Sequence, residues 1–415
     1  MPSRKISAGN RGRVFAAQDI KGCAVPLQRL VMLIFFLQPI AFGAWLPRIP
    51  DIQAKLELGT ADLAVALLGL PIGTLITLPF AGRLVSRIGG RMVIIYGFIF
   101  FLAVVSLPAF APSAVLLFFA LIVVGVALST VELGMNVEAD VTEKATGLVI
   151  MSRCHGFWSF GIMAGSLIGV GAIAIGLSPH WSILITAIII LPAALIASLR
   201  LPKLPESHHA ENSQVMTGFK LPSLALLGIC AFVFGVTMTE GAIADWSAVY
   251  LRDVMNAEGA QTGLGYSVFA FMVAAGRFSG DYMKGRFGAV AIARGCGIAS
   301  LAGMLVVLLA PATPLALLGF AAVGIGVSVG FPLAVTAVAS LTDRPPASSV
   351  ATLSFAALTG FLIGPPIIGF LGELLGLRAG LAVLLVPLFV SLLCARLLIP
   401  TQKDMAGELV EREAV

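Results

Sequence analysis

An all-α membrane protein, with twelve spanning helices in two repeated halves of six, is the fold class this sequence predicts. Three observations carry the prediction. Of the 415 residues, 59% are hydrophobic and only 11% charged, against roughly 25% charged in soluble globular chains. Twelve apolar stretches approach the ~20 residues that a bilayer-spanning helix requires. The second half of the chain also repeats the first at one constant offset.

The apolar stretches fall at 27–49, 61–82, 92–110, 113–136, 148–174 and 180–199, then at 222–250, 261–283, 289–310, 313–338, 348–372 and 377–398. Residues 1–26 precede them and are basic, with Arg4, Lys5, Arg11, Arg13 and Lys21. The first stretch is too long for a signal-peptide core and has no small-residue cleavage site behind it, so it reads as a retained span. Between the sixth and seventh stretches lies LRLPKLPESHHAENSQVMTGFKLP, residues 199–222, polar and proline-broken. The expected organisation is a cytoplasmic tail (1–26), a six-helix bundle (27–199), a cytoplasmic linker (200–221), a second bundle (222–399) and a cytoplasmic tail (400–415).

Sliding one half along the other by 199 residues puts Arg87 on Arg286, Gly89 on Gly288 and Pro112 on Pro311. The same shift puts Gly125 on Gly324, Gly161 on Gly360 and Gly165 on Gly364. Parallel repeats of this kind are related by an axis along the membrane normal.

Charge sets the expected orientation. With both termini inside, the outer loops hold Arg48, Lys55, Arg252 and Arg378, only 4 of the 26 Lys and Arg residues. This is the positive-inside asymmetry, and it predicts a multi-pass membrane protein with cytoplasmic termini. The isoelectric point near 9.1 then reports topology and contact with membrane lipids, not a nucleic-acid partner. The five cysteines match no metal or disulfide framework. His208-His209 is too short for a metal site, and no G-x-x-x-x-G-K-[ST] loop is present. No cofactor is expected, and a polytopic enzyme or receptor has no soluble domain or catalytic cluster to support it.

GRLVSRIGGR, residues 82–91, follows the second stretch. It resembles the G-x-L-x-D-R-x-G-[RK]-[RK] loop of the major facilitator superfamily at Gly82, Leu84, Arg87, Gly89 and Arg91. Ser86 stands at the acidic position and Gly90 at one basic position. The second copy, DYMKGRFG (281–288), keeps Arg286 and Gly288. The resemblance covers nearly the whole chain and implies that superfamily's fold, alternating access, a monomer, and a gating role for Gly82, Arg87, Gly89, Arg91 and Arg286. A plain positive-inside anchor is the alternative for these residues.

Polar groups inside apolar helices mark the expected site, because each is costly unless paired or wet. In LSTVELGMN, Glu132 and Asn136 are four apart and share a helix face. Glu132 is placed roughly 6 to 10 residues from the inner helix end. A carboxyl held out of water prefers its protonated form, so Glu132 is the candidate proton site. Arg153 and His155, in SRCHGFWSFG, are placed at comparable depth as its switchable partners; a static ion pair is the competing reading. VELGMNVEAD also resembles the D-x-x-x-N signature of fucose-type sugar–proton symporters, and rhizopine (inosamine) transporter-like proteins look similar. In those symporters the first helix carries an acid; here FFLQPIAFGAW offers Gln38.

Glu240, in TEGAIADWSAVY, is placed in the outer third of the seventh helix as a contact for a polar or cationic solute. Trp45 and Trp246, at helix ends, read either as interfacial belt residues or as further solute contacts beside Gln38, Asn136 and Glu240. GFLIGPPIIG resembles an antiporter motif that belongs in the fifth helix, whereas this is the eleventh. Glycines at 161, 165 and 169 read as close-packing surfaces, and Pro332 as a break in the tenth helix. The function expected is secondary transport of a small polar solute (a sugar, polyol or amino-polyol), coupled to protons through Glu132. The alternative is a proton-coupled efflux carrier for amphipathic compounds.

Overall fold

The computed structural model describes residues 27–202, 222–342 and 345–398. The tails expected at 1–26 and 400–415, and the linker residues from 203 onward with His208 and His209, lie outside them. The described chain is helical and forms twelve spans. These are α1 (Leu27–Lys55), α2 (Thr60–Leu67, then Gly69–Ile88), α3 (Gly90–Phe110), α4 (Ala114–Thr146), α5 (Met151–Ala174) and α6 (Pro179–Leu199). The second half contributes α7 (Leu224–Asp253), α8 (Leu264–Phe287), α9 (Ala289–Leu309), α10 (Thr313–Val327, then Gly330–Ala339), α11 (Pro346–Leu375) and α12 (Leu377–Leu397).

Among the described residues, eleven of these are long and apolar enough to cross a membrane. The other, α8, has the length, but Arg277, Lys284 and Arg286 dilute its apolar run. Large apolar side chains such as Phe80, Ile189 and Leu318 stand exposed on the outside, as they do where lipid replaces water as the solvent.

The repeat is visible in the backbone. α2 ends at Ile88 and α8 at Phe287, α3 starts at Gly90 and α9 at Ala289, and α4 starts at Ala114 and α10 at Thr313. Each pair keeps the 199-residue offset read from the sequence. Gly89 (φ 84°, ψ 150°) and Gly288 (φ 82°, ψ 155°) turn the chain identically. That region is open to glycine and strained for other residues.

Glycines also set the packing within each half. A Cβ on Gly161 would strike the Phe36 carbonyl, and one on Gly165 the Ile40 carbonyl, so α5 lies directly on α1. Their repeat partners behave alike: Gly360 and Gly364 press α11 onto Thr237 and Met238 of α7. This is small-residue packing of membrane helices, as the sequence predicts.

An even number of spans returns the chain to its starting face, so Leu27 and Leu398 share one face, here the terminal face. The loops at 56–59, 111–113, 175–178 and 254–263 lie on the opposite, distal face. The halves meet along α5 and α8, along α2 and α11, and where the end of α1 meets α7.

Candidate functional site

α8 carries Arg277 at mid-height, and this residue organises the interior. Its Nη2 pairs with Glu240 Oε1 of α7 at 3.2 Å, with both side chains 17% accessible. Its Nη1 donates to Ser159 Oγ of α5 at 2.7 Å, and its Nε to the Ser328 carbonyl of α10 at 3.3 Å. The Ser328 carbonyl is free for a reason written in the sequence. In a helix it would accept from the N–H four residues on, but that residue is Pro332, which has none. α10 breaks here, between Val327 and Gly330, and the guanidinium takes the orphaned acceptor. One arginine thus joins three helices of the second half to one of the first.

The α5–α8 seam extends in both directions from this point. Toward the distal face, the hydroxyls of Ser166 and Ser267 are 2.7 Å apart. Toward the terminal face, Phe278 packs on Phe157 and Phe160, with ring centroids 5.9 and 5.0 Å away. Tyr266, nearer the distal end of α8, packs on Phe269, with ring centroids 5.9 Å apart.

Glu240 sits sixteen residues after Leu224 and thirteen before Asp253. It is therefore central in α7, not in its outer third, because the helix continues to Asp253. Glu132 is also central. α4 runs on past the apolar stretch to Thr146, fourteen residues beyond Glu132, or about 21 Å. The extension holds because Lys144 pairs with Asp140 at 2.6 Å and Gly147 terminates the helix at φ 74°. Glu143 then caps the start of α5, accepting from Ile150 N at 2.5 Å and Met151 N at 2.8 Å.

The depth expected for Arg153 and His155 is corrected accordingly. They lie in the first turns of α5, well toward the terminal face from Glu132. Arg153 is exposed, and among the described residues no ion pair or hydrogen bond joins either residue to Glu132. His155 instead packs edge-on against Phe35, with centroids 5.5 Å apart, and senses the charge of Arg277. Glu132 is enclosed by protein yet keeps part of its surface accessible. Asn136 Nδ2 donates to the Glu132 carbonyl at 2.9 Å.

Gln38 is fully buried at the break in α1 beside Pro39. Its Oε1 accepts from Trp158 Nε1 at 2.9 Å, while its Nε2 has no partner among the described residues. Trp45 and Trp246 are 3% and 0% exposed, so neither is a belt residue. Trp246 Nε1 donates to the Pro365 carbonyl at 3.1 Å and locks α7 to α11.

At the loop motif, Gly82 and Arg87 are exposed. Arg91 reaches the carbonyl of Leu199 at 2.7 Å and that of Ser198 at 3.4 Å, the negative end of α6. Arg286 reaches Tyr282 Oη at 3.2 Å and lies over the Phe287 ring. Arg277 is the interior charge that sequence reasoning missed. The signal was present, since an arginine ten residues before the end of a span obeys the same cost rule as Glu132.

Two six-helix repeats that meet around a buried ion pair, with irregular helices at mid-height, define a membrane transporter. The model described as Major Facilitator Superfamily matches residues 31–353, and the chain belongs to that superfamily. It is 30% identical over 346 residues to an uncharacterised MFS-type transporter of Yersinia pestis, covering 82% of this chain and 88% of the relative. It is 30% identical to membrane protein MosC of Rhizobium meliloti over 359 residues, 86% of each chain. A crystal structure of the nucleoside transporter NupG superposes with a TM-score of 0.70 at 14% identity, covering 90% of this chain and 98% of that one. That likeness is one of fold.

Proposed function

We propose that this chain is a proton-coupled carrier of a small polar solute, a sugar, polyol or amino-polyol such as an inositol derivative. It works by alternating access as a monomer, in a bacterial inner membrane with both termini cytoplasmic. Glu132 carries the proton. The carrying observation is a charge imbalance in the interior. Glu132 and Glu240 are carboxyls at mid-span and Asp245 lies in the distal third of α7, whereas Arg277 is already filled by Glu240, Ser159 and the Ser328 carbonyl. Among the described residues, Glu132 and Asp245 have no ion pair.

Unpaired carboxyls in apolar surroundings are costly, so a transport cycle offers them protons and a ligand cation. Within the polar solutes named, this favours the amino-polyol, whose ammonium suits Asp245. Its hydroxyls suit Asn136. Gln38, Trp45 and Trp246 act from behind, holding the broken α1 and α7 in place. Arg87, with Gly82, Gly89, Arg91 and Arg286, serves the movement of the terminal face, and His155 and Arg153 line the route by which the proton leaves.

Efflux of amphipathic compounds is the second reading. The aromatic cluster of Phe157, Phe160 and Phe278, adjacent to Arg277, favours it. Uptake of a labelled polyol and amino-polyol panel by cells expressing the chain, with and without an uncoupler, tests the proposal. Uncoupler-sensitive accumulation supports it. Energy-dependent extrusion of a cationic dye with no polyol uptake supports the second reading.

A further inference from the structure

Two of the polar contacts that link the halves at the distal face are unusual for their chemistry. The first is at the start of α2. The opening N–H groups of a helix have no partner within it and form its positive end. A side chain just before the helix normally caps them, but here that position is Gly59, which has none. The cap comes from the other half. Glu373, at the end of α11, accepts from Thr60 N at 2.8 Å, Thr60 Oγ1 at 3.0 Å and Ala61 N at 3.3 Å. A Cβ at Gly59 would meet the Glu373 carboxylate at 2.8 Å, so the missing side chain is what admits it. The Thr60 hydroxyl can turn instead to the Gly369 carbonyl at 3.0 Å, a second link to α11.

The other point is at the end of α7. Arg252 Nη1 donates to the Pro50 carbonyl of α1 at 2.6 Å, and Nη2 to Gln53 Oε1 at 2.7 Å. Asp253 orients the guanidinium at 2.6 Å.

We propose that Glu373 and Arg252 form a two-point latch that holds the distal face shut, with Glu373 acting as the helix cap of the opposite half. The latch rests on the reading of this chain as an alternating-access carrier. When the halves part, the N–H groups of Thr60 and Ala61 pass to water, and so does the Glu373 carboxylate, which makes the contact reversible. The latch belongs to one joint only. At the 199-residue offset the partners of Thr60 and Glu373 are Gly259 and Ala174, which cannot make the same bonds. A carboxylate fixed on a helix start of the opposite half biases the resting protein toward distal closure.

Spin-label distances on the purified full chain, with native cysteines replaced by serine, test this without any solute. One label pair, Val115→Cys with Leu309→Cys, spans the two halves at exposed distal positions. A second pair, Val115→Cys with Ile175→Cys, lies within the first half and reports its integrity. Glu373→Ala should raise the long-distance population of the first pair by at least about tenfold, as expected for loss of a charge-assisted cap, and Arg252→Ala should add to it. The second pair should stay sharp. If Glu373→Ala broadens that pair, Glu373→Gln, which keeps the side-chain size and an acceptor oxygen but loses the charge, is read in its place, with a smaller expected rise of about threefold. An unchanged first pair in the folded double variant would overturn the latch. Solute-free distances leave the transport reading untouched whichever way they fall.

Discussion

Arg277 of α8 donates to the carbonyl of Ser328, the acceptor that Pro332 leaves unpaired in α10. The same guanidinium holds Glu240 at 3.2 Å and Ser159 at 2.7 Å. A backbone irregularity in one helix is therefore coupled to an ion pair in another and to a hydroxyl across the seam. Any movement of α5 against α8 must reorganise all three.

Arg277→Lys tests that geometry. An ammonium keeps the charge and three donors but gathers them on one nitrogen instead of a planar fork, so it cannot reach the same three separated acceptors. Transport should fall by about tenfold or more with the fold intact. Arg277→Ala leaves Glu240 buried and unpaired, at a cost of about 3–5 kcal/mol. Thermal unfolding should show that loss, and the double variant Arg277→Ala/Glu240→Ala should recover a large part of it. No recovery would mean that the pair is not what holds Arg277.

Gly165→Leu should destabilise the first half by at least about 1–3 kcal/mol, the cost of overpacking, because even a Cβ there strikes the Ile40 carbonyl. Gly364→Leu should act similarly at the repeat-related joint with Met238. Thermal unfolding measures both. Gly82→Leu should be nearly silent, since nothing lies near that position.

The two arginines of the loop motif should separate. Arg91 caps the end of α6 within its own half, so Arg91→Ala should cost about 0.3–1 kcal/mol of stability and slow turnover less than Arg87→Ala does. Arg87 is exposed, and Arg87→Ala should slow turnover while solute affinity in detergent stays nearly constant. A large loss of affinity at unchanged turnover would contradict the gating role.

Span positions, the repeat and the break at Pro332 were legible because hydropathy and proline chemistry act locally. Glu132 was found by the cost of a carboxyl in an apolar helix. Its depth was not, because α4 continues beyond its apolar stretch on polar turns stabilised by Asp140 with Lys144. Apolar length does not report where such a helix ends. The Arg277–Glu240 pair was out of reach as a pair. It depends on how α7 and α8 rotate about their own axes, and no pattern within either helix states that. Trp246 was misplaced for a related reason: a tryptophan near a helix end looks interfacial until the neighbouring α11 covers it.

Glu132→Gln in proteoliposomes tests the central claim most directly. Glutamine nearly keeps the size and hydrogen-bonding capacity of the protonated carboxyl but cannot titrate. If Glu132 carries the proton, the variant should lose concentrative uptake driven by a proton gradient. It should still exchange labelled for unlabelled solute by counterflow, which needs no net proton movement, and it should unfold at the wild-type temperature. Full gradient-driven accumulation by Glu132→Gln would contradict the account.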